Sequence, residues 1–143
     1  MFHKTKTYEH ECAIRNYYAK NLEFFRENKK LIGKELRYSS TYLRSDMRTI
    51  DTSNYLREWE FKIFADYKAL GQILQYLALS RSETDLPVRG VIAAFDFSKE
   101  LIFTNERLNL NLELVHLPEW IRNAGKSRKN RNLILPEIPF EHS

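Results

Sequence analysis

The chain has little of what secreted or membrane-bound proteins rely on. It carries one cysteine, Cys12, so no disulfide can close within it and no cysteine-rich zinc site can be built. In a helix-like stretch, Cys12 reads as a small packing residue rather than a nucleophile. No segment approaches the ~20 apolar residues needed to cross a bilayer. The stretch from Met1 to Lys6 is basic, with no apolar run behind it, so no signal peptide and a cytoplasmic location are expected. The four glycines make no phosphate-cradling loop. The four histidines, His3, His10, His116 and His142, show no zinc-ligand spacing, and a Ser-His-Asp constellation has no local support. There is no internal repeat and no low-complexity tract.

What remains is a chain of 143 residues, a usual size for one domain with a core of its own. Its 43% hydrophobic and 13% aromatic content excludes disorder as the default. The formal net charge is +4 and the sequence pI about 9.2. A basic excess favours a polyanionic partner, because Lys and Arg that neutralise phosphates release condensed counterions.

Apolar positions recur with helical spacing from about residue 8 to 32 (Ala13, Ile14, Tyr17, Tyr18, Leu22, Phe25, Leu31), with Gly33 as the expected stop. The Tyr-, Ser- and Thr-rich run from Glu35 to Leu43 predicts a strand, and Asp46 to Ile50 another extended piece. Asp51 to Asn54 are turn residues. Beyond them, from Tyr55 to Phe64, Trp59, Phe61 and Ile63 alternate with Glu58, Glu60 and Lys62, which predicts a hairpin. Leu70, Ile73, Leu74, Leu77 and Ala78 form one apolar stripe on a helix over 69–79, followed by a loop from Ser80 to Pro87. The run Val91 to Phe95 predicts a buried central strand. Ser98 is the expected N-cap of a short helix to about Leu108, and Asn111 to Leu117 a last strand closed by Pro118. The order predicts an α/β protein, a mixed β-sheet flanked by helices, roughly α-β-β-β-α-β-α-β. Residues 1–120 are expected to form the domain, and 121–143 a basic extension containing Lys126, Arg128, Lys129 and Arg131.

On a strand, residues two apart share a face, so Glu60 and Lys62 emerge together above an apolar layer. A carboxylate beside an ammonium suits phosphate chemistry with a hard metal: the carboxylate binds the ion, and the ammonium holds a water or offsets developing charge. As an isolated pair, the commoner reading is a solvated surface contact. A second carboxylate is available at Asp46 on the neighbouring strand. Asp46 is preferred to Asp51 because hairpin loops of about two to five residues put Asp51 in the turn. The Phe61 carbonyl is a further candidate oxygen.

Asp46, Glu60-Phe61-Lys62 and Gln72-Ile73-Leu74-Gln75-Tyr76 together resemble the PD-(D/E)XK nuclease superfamily, and in particular its Gln-x-x-x-Tyr, RecB-like branch. The resemblance spans about residues 8 to 117, with Ser45 where the family motif has proline. It implies a restriction-endonuclease-like fold and Mg²⁺-dependent hydrolysis of DNA, with Mn²⁺ as a substitute and RNA left open. It implies Asp46, Glu60 and Phe61 as metal ligands, Lys62 as the catalytic lysine, and Gln72 and Tyr76 beside the site. It also implies an acidic residue from the first helix, Glu11 in preference to Glu9. Arg37, Arg44 and Arg48 near the hairpin, with the basic run, are candidate phosphate contacts, which position a nucleic acid without reading its sequence. A homodimer is expected, since two sites would serve two strands. The alternative is a catalytically inactive nucleic-acid-binding module on the same fold.

Overall fold

A computed structural model of the chain describes residues 6–38 and 41–124. Its elements are α1 (Lys6–Lys20), α2 (Leu22–Phe25), β1 (Lys29–Arg37), β2 (Arg44–Asp51), β3 (Leu56–Ala65), α3 (Tyr67–Glu83), β4 (Val88–Phe97), α4 (Lys99–Arg107) and β5 (Glu113–His116), then a 3-10 turn at Glu119–Ile121. The strands form one mixed five-stranded sheet in the order β1-β2-β3-β4-β5. The first three are antiparallel, and β3, β4 and β5 run parallel.

The expected helix over 8–32 is two helices and the start of a strand. Asn21 ends the first, with its side chain donating to the Tyr17 carbonyl at 2.9 Å. Asn28, at φ 62°, reverses the chain, and β1 begins at Lys29. Gly33 is therefore not a helix stop; it lies within β1, where the register shifts between Leu31 and Gly33. The strand expected over 35–43 thus begins six residues earlier and ends at Arg37. The helix expected over 69–79 extends through Ser80 and Arg81 to Glu83, shortening the loop assigned from Ser80. Asp66 caps its start by accepting from the Lys68 N–H at 3.0 Å, and Ser98 caps α4 through the Leu101 N–H at 3.1 Å, each satisfying a donor that a helix start leaves without an intrahelical partner.

The sheet is apolar on both faces. On one, Met47, Trp59, Phe61, Val91, Ala93 and Phe95 pack under α1. Tyr18 stacks on Phe25 at 4.5 Å and meets Trp59 and Phe61 at 5.6 and 5.5 Å. Ile121 and Ala124 are fully buried in this layer, so the core runs past residue 120. On the other face, Leu56, Ile92, Ala94 and Leu112 pack under α3 and α4. Gly90 lets α3 approach closely, since a Cβ there would lie 2.8 Å from both Ile73 and Leu112 side chains.

That second layer contains a buried charge. Glu58, fully buried, accepts from Arg48 Nε at 3.0 Å and Nη2 at 2.8 Å, and from the Tyr38 hydroxyl at 2.6 Å. A buried carboxylate is tolerated only when its oxygens are satisfied in this way. Glu58→Ala removes the partner and leaves Arg48 and Tyr38 stranded, so urea denaturation is expected to show a loss of roughly 3–5 kcal/mol. Glu58→Leu combined with Arg48→Met should recover much of that loss.

Candidate active site

The β2–β3 ladder pairs Ile50 with Leu56 and runs to Met47 opposite Trp59, where it stops. β3 continues to Ala65 against β4, while β2 continues to Arg44 against β1. The sheet therefore forks, and the β2-facing edge of β3 needs other acceptors beyond Trp59. Two carboxylates supply them. Asp46 Oδ2 accepts the Phe61 N–H at 2.8 Å, and Glu11 Oε2, arriving from α1, accepts the Ile63 N–H at 2.9 Å.

A cavity of about 220 Å³ lies at this fork. Its walls bring together Glu11, Asp46, Glu60, Phe61, Lys62, Gln72 and Tyr76 with Arg44, all singled out from sequence. Glu60 is 2% exposed, and Lys62 Nζ lies 3.8 Å from its Oε2. The strand alternation makes Phe61 a core residue by its side chain, leaving its backbone as its contribution to the wall. Gln72 and Tyr76 are one turn apart on α3, so they face the cavity together. Tyr76 also stacks on Tyr38 at 5.9 Å, which fixes its ring against the Glu58 network. Glu9 is exposed and does not line the cavity.

The other candidate cations are placed differently. Arg44 is exposed at the cavity wall. Arg37 is exposed, donates to the Thr41 carbonyl at 2.9 Å and lies over the Tyr42 ring. Arg48 is turned inward and committed to Glu58. Lys126, Arg128, Lys129 and Arg131 lie outside the described residues.

Six wall residues had not been singled out for the site: Tyr8, Cys12, Arg15, Glu35, Tyr42 and Ser45. Arg15 was recoverable, because it follows Glu11 by four residues on the same helix and so shares its face. Cys12 likewise follows Tyr8, another wall residue, and their hydrogen bond pushes the Tyr8 phenol up to about 12, with burial adding to the effect. Glu35 carried no such signal. It lies across the β1–β2 register from Asp46, between the pairs Lys34–Met47 and Leu36–Ser45. Its φ is 51°, a left-handed conformation that costs a non-glycine residue about 1–2 kcal/mol.

The electrostatics are those of crowded acids. Burial, then the Asp46 charge and a hydrogen bond with Asp46, push Glu60 well above the usual carboxylate range, against the pull of Lys62. Burial raises Glu11, opposed by its Ile63 hydrogen bond and by Lys62. Burial, with Glu60 and Asp46 nearby, raises Tyr76 and keeps its hydroxyl protonated. The wall carries four carboxylates, Glu11, Glu35, Asp46 and Glu60, against three cations, Arg15, Arg44 and Lys62.

This donor set fits a hard divalent cation. All its oxygens are carboxylate, amide, hydroxyl or backbone, and Gln72 Oε1 and Ser45 Oγ are buried there without a hydrogen-bond partner. Among the described residues, no three His, Cys, Asp or Glu side chains converge closely enough to enclose a metal. An ion here would have to be held by fewer than three such side chains and completed by water, an arrangement that Mg²⁺ accepts.

No protein-family model matches the chain, and no curated protein matches it. Solved structures do. A repair endonuclease from Pyrococcus abyssi superposes with a TM-score of 0.65 at 21% identity, over 82% of this chain and 48% of that one. EndoMS bound to double-stranded DNA gives 0.64 at 18% identity over 82% and 48%, and EndoMS in apo form 0.60 at 18% over 82% and 49%. The fold is restriction-endonuclease-like. The chain spans about half the length of each of these neighbours.

Proposed function

We propose that the chain is a metal-dependent nuclease of the PD-(D/E)XK type, related to the Gln-x-x-x-Tyr branch, that hydrolyses DNA phosphodiester bonds. The observation that carries this reading is the gathering of Asp46, Glu60 and Lys62, from adjacent strands, in one cavity with Glu11, Gln72 and Tyr76. The fold is shared with endonucleases, one of them solved on double-stranded DNA, which favours DNA as the substrate.

Asp46 and Glu60, with the Phe61 carbonyl, would hold Mg²⁺, or Mn²⁺ in its place. A bound ion would supply Lewis acidity and lower the pKa of a coordinated water. Lys62, fixed on the strand beside Glu60, holds the attacking water and offsets charge that develops on phosphorus. Tyr76, kept protonated, donates to a phosphate oxygen, and Gln72 Oε1 offers a neutral acceptor. Glu11 keeps the free edge of β3 in place, which positions Glu60 and Lys62. Arg44 and Arg37 contact flanking phosphates, and Lys126, Arg128, Lys129 and Arg131 extend that contact. A homodimer would present one cavity to each strand.

A second reading, an inactive binding module, draws on the backbone hydrogen bonds of Asp46 and Glu11, which give both acids a structural use. Incubation with supercoiled plasmid and labelled single strands separates the two. Nicked or linear product is expected with Mg²⁺ or Mn²⁺, none with EDTA, and none from Asp46→Ala. Binding without cleavage in every metal would overturn the nuclease reading and leave the module.

A further inference from the structure

Among the described residues there are two Arg–Glu pairs with a buried arginine or glutamate, and they are built differently. Arg48 grips both oxygens of a fully buried Glu58, aided by Tyr38. That is how a structural pair satisfies itself. Arg15 is 3% exposed, yet its acid partner Glu35 has a side chain 46% exposed. The contact is a single bond from Nη2 to Glu35 Oε2 at 3.3 Å, long for a charge-assisted bond. The other bonds of Arg15 go to the neutral Oδ1 of Asn16, at 3.2 and 3.1 Å, which Lys34 also uses. Among the described residues the second terminal nitrogen, Nη1, has no partner, and the residue lines the cavity that holds Asp46 and Glu60.

The strain points the same way. Glu35 reaches Arg15 from a left-handed backbone conformation inside a strand, which a non-glycine residue adopts only when its surroundings impose it. A carboxylate held in strain, half in water and monodentate on an inward-facing guanidinium, is easily displaced by a better anion. A phosphate group, with more charge and oxygens matched to the guanidinium fork, is one.

We propose that Arg15 is a phosphate-binding side chain of the cavity and that Glu35 occupies its guanidinium until a backbone phosphate of the substrate displaces it. This rests on the nuclease reading for the identity of the substrate and adds to it a phosphate contact from α1. No bond is made or broken in the exchange; Glu35 moves to solvent as the phosphate enters.

The test is binding of a fluorescein-labelled DNA duplex by the full chain in EDTA, followed by anisotropy across a salt series. Arg15→Gln is expected to weaken binding by about tenfold and to reduce the slope of log affinity against log salt by about one. Arg15→Lys should restore the slope but only part of the affinity, because an ammonium keeps the charge without the fork. Glu35→Gln should tighten binding several-fold, and being half-exposed it carries the test if Arg15→Gln does not fold. Unchanged affinity and slope in Arg15→Gln, or unchanged or weaker binding in Glu35→Gln, overturns the proposal, as does an absence of DNA binding at low salt. Metal-dependent cleavage with binding indifferent to both residues would sink this inference alone. Arg15-dependent binding without cleavage would sink the nuclease reading and leave this one standing.

Discussion

Lys62→Ala is expected to cut the rate of DNA cleavage about 100- to 1,000-fold at saturating Mg²⁺, the usual loss when one preorganised charge-stabilising donor is removed. The side chain is well set for that role. It is 23% exposed, lies 3.8 Å from Glu60, and stands on a strand paired with β4 along most of its length. A strand fixes direction better than a loop does, so the ammonium is aimed before substrate arrives. Initial rates on end-labelled duplex measure the effect, and duplex affinity in EDTA should fall far less than the rate. A rate within a few-fold of wild type would remove Lys62 from the chemistry.

Glu60→Gln is expected to do two opposite things, abolishing cleavage while raising stability. In the folded protein Glu60 is held above its ordinary value of 4.5 by burial and by Asp46. A raised acid binds more protons folded than unfolded, so stability falls as pH rises from about 4.5 through the folded-state value and stays lost above it. The neutral amide escapes that loss. Its advantage over wild type should therefore be small near pH 5 and larger at pH 8, read as urea midpoints at the two values. For a chain of this size each 1 kcal/mol gained would raise Tm by roughly 2–4 °C. Mg²⁺ should reverse the order by stabilising the wild type more, since only the wild type keeps both carboxylates. Equal destabilisation at both pH values would mean that Glu60 is not crowded by Asp46.

How much could be read from the sequence depended on the range of each contact. The alternation of Trp59, Phe61 and Ile63 with Glu58, Glu60 and Lys62 placed a strand with its two faces correctly, because strand direction is a local matter. The spacing of Gln72 and Tyr76 put both on one side of α3 for the same reason. The stretch from Asn21 to Gly33 misled, because Leu22, Phe25 and Leu31 continue a helical rhythm that Asn21 and Asn28 break with turn geometry. Arg48, read as a candidate phosphate contact, is bonded to Glu58, a partner that becomes visible only once β2 and β3 are in register. The contacts of Glu11 with β3 and of Arg15 with Glu35 join residues 52 and 20 positions apart, beyond any local pattern.

The fork in the sheet has a meaning for how such a site is kept open. Strands beside one another tend to zip until something stops them, and here the stop is the carboxylate of Asp46, which takes the Phe61 N–H itself. An apolar residue at that position would leave the Phe61 N–H without this acceptor. The acid proposed to hold the metal is thus also the wedge that keeps the strands apart, and a chain without the chemistry has a structural reason to keep the acid.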